Sequence, residues 1–382
     1  MNKMDLTSIL IGGDLGPTNS NSSQFSAADI ERLIDAELID TLSSADFRIF
    51  NLEVPLTSND TPIKKDGPVL SAPASAIRGI KLLDPSVFTL ANNHIMDHGE
   101  EGLINTIEQL SRQNIAYVGA GKNIDEAARP VIIEKQGHRI GIYACAEHEF
   151  SIAGENQAGA NPLDLLEVFG HISNLKSRCD LVIVLFHGGK EYYRYPTPDL
   201  QKICRKMAVS GAGLIICQHS HCIGAYEKYG DAMIVYGQGN FLFDRHNDEF
   251  YQTGLLVNVK MDSAIYFDFI PILKNGNGVK TPDPDQSARI LADFHKRSEE
   301  IQDPGFVERQ FDEYCRLNGQ YYLATLAGLG KTVRRIDKVL NRPLTRLIYP
   351  RRKLDTIQNH FECETHREIM LRYIKLLKGK KL

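Results

Sequence analysis

No run of apolar residues in this 382-residue chain approaches the roughly 18 that a membrane-spanning helix needs. The first residues, MNKMDLTSILIGGD, also lack a basic region followed by a long apolar one. A cytoplasmic location is the expectation. Cysteine is sparse and scattered: seven residues, at 145, 179, 204, 217, 222, 315 and 363, with no Cys-x-x-Cys pair. An odd, unclustered set argues against a disulfide framework and a structural zinc ribbon, and fits free thiols in a reducing compartment. Internal repeats and low-complexity tracts are absent. The glycine clusters GGDLG (12–16), GAG (119–121) and GQGN (237–240) lack both the full Gly-x-Gly-x-x-Gly and the Gly-Lys-Ser/Thr continuation. They read as turn glycines rather than nucleotide loops.

The composition, 42% hydrophobic and 24% charged, suits a chain that buries a large core. Its net charge of −4 is unevenly spread. Residues 331–382 hold 15 Lys/Arg against 5 Asp/Glu, a net of +10, which leaves −14 for residues 1–330. A basic end of this kind meets something acidic: the rest of the chain, a membrane surface, an anionic polymer or partner enzymes. Nucleic acid fits poorly, because the remainder is acidic and carries no nucleic-acid motif. The Gly/Asn/Pro/Asp-rich stretch KNGNGVKTPDPDQ (274–286) reads as a boundary. It predicts a domain over 1–275 and a mainly helical basic extension over 276–382 that packs on it, ending in the basic amphipathic ECETHREIMLRYIKLLKGKK.

Through the first 270 residues short apolar β-type runs alternate with helical patterns, the rhythm of an α/β fold. GEEGLINTIEQLSRQN repeats Leu103, Ile104, Ile107 and Leu110 at helical spacing, and PTPDLQKICRKMAVSGAG does the same with Leu200, Ile203 and Met207. EKYGDAMIVYG predicts a hairpin with a Gly-Asp turn, so the sheets should be mixed.

Polar residues able to ligate metals or move protons end five of the apolar runs: Asp14, Glu53, Asn92 with Asn93 and His94, His187, and His219 with His221. Each alone is more often a cap or a hydrogen-bonded structural residue. Together they mark the edge of a sheet where ligands bind. An Asp/Glu/Asn/His set without thiolate suits Mn, Fe or Zn. In CQHSHCI (217–223) an extended backbone would point His219 and His221 the same way, with Cys217 a core thiol and Cys222 facing away. Lys64, Lys65 and Arg194 are loop cations able to hold an anion, and Glu191, Tyr192 and Asn240 adjoin the same motifs.

In order, GGDL (12–15), NLEVPLT (51–57), LANNHIMDHGEEGL (90–103), FHGGKEY (186–192), CQHSHCI (217–223) and YGQGNFLFD (236–244) resemble the signature of CapA-type capsule and poly-γ-glutamate biosynthesis proteins. The resemblance implies a calcineurin-like metallophosphoesterase fold: an αββα sandwich of two mixed sheets flanked by helices, here with a helical C-terminal extension. It implies one or two divalent ions, with Asp14 and His221 serving one, Glu53 bridging, and Asn93, His187 and His219 serving the other. His94 corresponds to the catalytic acid. Asn92 is a second catalytic candidate, and Lys64, Lys65, Glu191, Tyr192, Arg194 and Asn240 are the candidates for substrate binding. The first motif's Asp-x-His is Asp14-Leu15-Gly16 in this chain. The implied activity is metal-dependent hydrolysis of an anionic or phosphorylated intermediate of polymer synthesis. The other two readings are metal-free acid/base chemistry on a peptide or polyglutamate, and a non-catalytic scaffold.

Overall fold

The computed structural model describes residues 6–58, 60–243 and 248–379; Asp244, the last residue of YGQGNFLFD, and residues 380 and 381 of the terminal basic helix lie outside these. The chain forms two compact units, Met1–Val307 and Glu308–Leu382.

In the first unit the described strands are β1 (Thr7–Gly16), β2 (Phe47–Leu52), β3 (Val87–Thr89), β4 (Ala116–Val118), β5 (Ala120–Gly121), β6 (Val131–Lys135), β7 (His138–Ala146) and β8 (Gly159–Ala160). They continue as β9 (Leu181–His187), β10 (Leu214–Gln218), β11 (Tyr226–Tyr229), β12 (Ala232–Val235), β13 (Asn240–Phe243), β14 (Thr253–Met261), β15 (Ile265–Asn275) and β16 (Gly278–Lys280). One large sheet runs β16-β15-β14-β1-β2-β3-β4 with β13 also paired to β1, a second runs β11-β12-β10-β9-β7-β6, and β5 pairs with β8 in a two-stranded third. Strands β1 to β4 are parallel, as are β7, β9, β10 and β12, while β14 to β16, β11 and β6 add antiparallel edges. The sheets are therefore mixed, and the expected hairpin is present, with Tyr229 opposite Ala232 across the Gly230-Asp231 turn.

Period-two alternation explains the layering. On β9, Leu181, Ile183 and Leu185 join one apolar cluster with Ile9, Ile49 and Val257 of the other sheet. The intervening Val182, Val184 and Phe186 pack with Ile172, Leu175, Cys204 and Met207 of the helices Val168–Lys176 and Pro198–Val209. Both faces of β9 are buried, which is why LVIVLF is continuously apolar. Leu103 and Leu110 of the helix Gly99–Arg112 are buried as their spacing required. The result is the αββα sandwich, with each sheet covered by helices on its outer face.

The expected boundary at 275/276 does not coincide with the division after Val307. Asn275–Gly278 is a hairpin turn joining β15 to β16. A Cβ on Gly278 would fall 2.1 Å from the carbonyl oxygen of Leu33, so that glycine belongs to a close backbone approach. The following Asp283, Pro284 and Gln286 form a capping box that starts the helix Pro284–Glu300. Phe294 of that helix is fully buried, its ring 4.9 Å from that of Phe269 and 5.1 Å from that of Tyr226. Turn and cap residues thus produce the composition of a linker inside a continuous core.

The second unit is helical: after Phe306–Leu326, which straddles the division, come Lys331–Val339, Pro343–Ile348, Arg351–Glu362 and Glu364–Gly379. Among the described residues no helix is long and apolar enough to cross a membrane. Because Phe294 completes the sheet core, Phe294→Ala is expected to lower the stability of the first unit by about 3–5 kcal/mol in urea titrations. A change confined to a separate C-terminal transition would contradict this packing.

Candidate metal centre

The C-terminal ends of β1, β2, β3, β9 and β10 open on one edge, and the polar residues there converge. Strand β1 bulges between Ile11 and Asp14, where its register to β2 shifts. Gly12 and Gly13 permit this: a Cβ on Gly12 would sit 2.5 Å from the Phe50 ring, and one on Gly13 would sit 2.0 Å from the oxygen of Gly239. Beyond the bulge, Asp14 lies between Asn51 on β2 and Asn240 on β13. Glu53 directly follows β2, Asn92 to His94 follow β3, and His187 is the last residue of β9.

Two groups of ligand atoms form, sharing one carboxylate: Glu53 with His187 and His219, and Asp14 with Glu53 and His221, each within 4.8 Å. His187 Nε2 lies 3.1 Å from Asn93 Oδ1, 3.1 Å from His219 Nδ1 and 3.5 Å from Glu53 Oε1. On the other side, His221 Nδ1 is 2.9 Å from Asn240 Oδ1 and 3.4 Å from Asp14 Oδ2.

His219 and His221 do not reach these groups along an extended segment. Strand β10 ends at Gln218, and both histidines have positive φ, 84° and 55°. Such backbone is costly for non-glycine residues and is retained where surrounding contacts determine it. The turn separates the rings, with centroids 6.2 Å apart, so each serves a different group instead of one centre. Cys217 packs in the apolar cluster with its sulfur 3.6 Å from that of Cys204, and Cys222 is buried outside both groups.

Glu53 is fully buried, and neither carboxylate oxygen has a hydrogen-bond partner. Burial, then the negative charges of Asp14 and Glu191, push its pKa well up. The pull of the Lys65 charge does not offset this burial, and a cation between the carboxylate and the imidazoles would. The imidazoles fit too. Burial, reinforced by neighbouring histidines, pushes the His219 pKa well down; burial against the pull of Asp14 drops His187 to about 3. Both are neutral at ordinary pH, the form that ligates metal. At Asp14 burial acts upward, but the His221 hydrogen bond and the His187 and His221 charges hold the pKa below its usual value. His221 is correspondingly raised, Asp14 outweighing its burial. The donors therefore fit divalent ions, and the Glu53–His187–His219 group, with Asn93 beside it, is the more complete. In the other group no side chain extends from Gly16, where a Cβ would meet Phe243 at 2.8 Å and Val54 at 3.0 Å.

The family described as "Bacterial capsule synthesis protein PGA_cap" matches residues 8–245, a span that contains every residue of this centre. The chain belongs to this family. It is 29% identical over 207 residues to the PGA biosynthesis protein CapA of Bacillus subtilis (strain 168), covering 53% of this chain and 54% of that protein. It is 31% identical over 213 residues to the capsule biosynthesis protein CapA of Bacillus anthracis, covering 53% and 52%. The chain thus spans about half the length of these curated relatives. Solved structures similar to it include a novel phosphatase of Mycoplasma pneumoniae (15% identity, TM-score 0.44, covering 71% of this chain and 95% of that one) and a putative 5'-nucleotidase of Staphylococcus aureus (13%, 0.45, 76% and 58%).

In this PGA_cap protein a cavity of about 760 Å³ adjoins the centre, lined among others by His94, Glu191, Tyr192, His221, Phe243 and Tyr251. His94 Nδ1 lies 2.6 Å from Asp97 Oδ2, and Asp97 also takes the backbone N–H of Leu70 and an ion pair from Lys65. The side chain of Lys65 is almost wholly buried and bound to Asp97, beside His94 instead of in the cavity. Lys64 is exposed, and neither it nor Arg194 lines the cavity. Arg194 donates to the Ile223 carbonyl and lies 4.9 Å over the Phe250 ring. Glu191 and Tyr192 do line it, and Asn240 reaches the centre through His221.

Asn92 bonds to Asn51 Oδ1 and the Leu52 carbonyl, and accepts from the His94 N–H. Asn51 donates to Asp14 Oδ1 at 2.8 Å and lies 3.2 Å from His187 Nδ1. Glu149 accepts from Asn93 and stands 3.8 Å from His219 Nε2. Sequence reasoning passed over Asn51, Asp97 and Glu149. Glu149 carried the usable signal, since it follows the apolar run of β7 as the other site residues follow theirs.

The pKa directions have opposite consequences. His187 goes from 6.5 unfolded to about 3 folded, so stability is held above pH 6.5 and lost as pH falls toward 3. Glu53, raised above 4.5, makes a contribution that is full below pH 4.5 and lost as pH rises. Glu53→Gln is therefore expected to stabilise metal-free protein by about 1 kcal/mol or more near neutral pH, the gain shrinking toward pH 4. The same substitution should abolish the shift in Tm that Mn2+ or Zn2+ gives the wild type, about 2.7 kcal/mol at a hundredfold excess over Kd. A destabilised Glu53→Gln with its metal response intact would contradict both points.

Proposed function

We propose that this chain is a metal-dependent hydrolase of phosphoesterase type, acting on an anionic or phosphorylated intermediate in capsule, poly-γ-glutamate or other exopolymer synthesis. The observation that carries the reading is the buried Glu53 carboxylate shared by two ligand groups, one of which reaches an open cavity through His221. Family membership supports the pathway class. Glu53, Asn93, His187 and His219 would hold the first ion, and Asp14, Glu53 and His221 would hold a second more weakly. Such ions, of Mn, Fe or Zn, supply Lewis-acid polarisation of a phosphoryl oxygen and acidify water.

The remaining work falls to side chains. Asp97 fixes the orientation of His94 by accepting a hydrogen bond from its Nδ1–H, which leaves Nε2 facing substrate. From the cavity wall His94 protonates the departing oxygen. Lys65 offsets the buried charge of Asp97. Tyr192 and Tyr251 wall the cavity beside His221. Asn51 and Asn92 tie Asp14 to the backbone of the His94 loop, so the ligand and acid sides are positioned together.

With bis(p-nitrophenyl) phosphate and Mn2+, His187→Ala is expected to lose both bound metal and turnover. His94→Ala should keep the metal while kcat falls about 10²- to 10⁴-fold. Turnover untouched by both substitutions, or undiminished after chelation, would refute the proposal.

A further inference from the structure

In the helical unit Glu308–Leu382 one helix pair, Lys331–Val339 with Pro343–Ile348, turns polar side chains inward. Asp337, Arg342 and Thr345 are buried, while Val339 is 85% exposed, Leu347 75%, Leu340 63% and Ile336 54%. The inversion is held by specific bonds. Asp337 on the helix Lys331–Val339 accepts from the backbone N–H of Leu344 at 2.8 Å and from the Thr345 hydroxyl at 2.5 Å. It thereby caps the helix Pro343–Ile348, and Asn341 and Arg342, both with φ of 64°, make the turn between them. The apolar side chains thus stay outside on a fixed helix pair. Arg335, Lys338 and Arg346 are exposed on the same two helices, and Arg351, Arg352 and Lys353 open the next. Residues 331–382 carry a net +10.

We propose that this unit docks on an anionic lipid bilayer, lying in the interface with Ile336, Val339, Leu340 and Leu347 inserted and the neighbouring basic side chains on the lipid headgroups. Two requirements select this occupant. An anionic polymer satisfies the cations but leaves the apolar side chains in water. A second copy covers the apolar face but sets +10 against +10. A bilayer with anionic headgroups meets both, in the manner of interfacial amphipathic helices, and among the described residues no helix is long and apolar enough to span it.

The test uses the full chain and sedimentation with two vesicle types, phosphatidylcholine alone and phosphatidylcholine with one lipid in three replaced by phosphatidylglycerol. Partitioning onto the anionic vesicles is expected to be at least about tenfold stronger and to weaken as salt shortens the Debye length from about 10 Å toward 3 Å. Val339→Asp with Leu347→Asp, both at exposed sites, should lower it at least about tenfold with helix content unchanged. Arg335→Glu with Lys338→Glu keeps the apolar face and should remove most of the preference for phosphatidylglycerol. No binding to anionic vesicles at low salt would overturn the proposal, as would binding indifferent to the aspartates. Equally strong capture by poly-γ-glutamate, or a dimer that the aspartates dissolve in place of vesicle binding, would also overturn it.

Discussion

The carboxylate of Glu53 is held out of water, close to the like charge of Asp14 and without a single hydrogen bond. A buried group of this kind is among the costliest in a protein, and the surrounding structure is arranged around it. Two glycines let β1 bulge so that Asp14 reaches one side. Two histidines in strained backbone reach it from β10, and His187 arrives at the end of β9. Apart from the pairing of Asp14 with His221, none of these features stabilises the metal-free fold. Each becomes favourable once positive charge sits between the donors.

The same constraint separates the two halves of the centre chemically. Around His187 and His219 burial keeps the imidazoles neutral and aimed at one another, which is a ligand set in waiting. Around Asp14 and His221 the protein supplies its own partner, since the raised histidine and lowered carboxylate stabilise each other and Asn240 assists. An ion there must displace that pairing, and Phe243 and Val54 crowd the space beside Gly16 where the first motif would carry a histidine. These contacts make the two groups chemically unequal.

Much of the fold, and the convergence of the polar strand-end residues, was legible in the sequence for a physical reason. A polar residue that ends an apolar run lies at a sheet edge, and several such residues on parallel strands share that edge. What escaped was non-local or conformational. Lys65 reads as a solvated loop cation until Asp97, 32 residues on, is seen to hold it. Asn51 is hidden inside a strand motif, where only pairing with Asp14 gives it meaning. The positive φ at His219 and His221 leaves no glycine as a trace, and the expectation of an extended segment failed there. Residues 274–286 have a linker's composition because hairpin turns and helix caps use the same residue types. The basic tail was visible as charge, but its exposed apolar face is a matter of which side Asp337 and Thr345 turn inward.

Anomalous diffraction from crystals grown with Mn2+ bears most directly on the shared-carboxylate account. The strongest peak is expected among Glu53, Asn93, His187 and His219, with weaker density or none between Asp14 and His221, and the first peak lost in Glu53→Gln. Manganese absent from the Glu53–His187–His219 group, or bound there as strongly when Glu53 is replaced, would contradict the account.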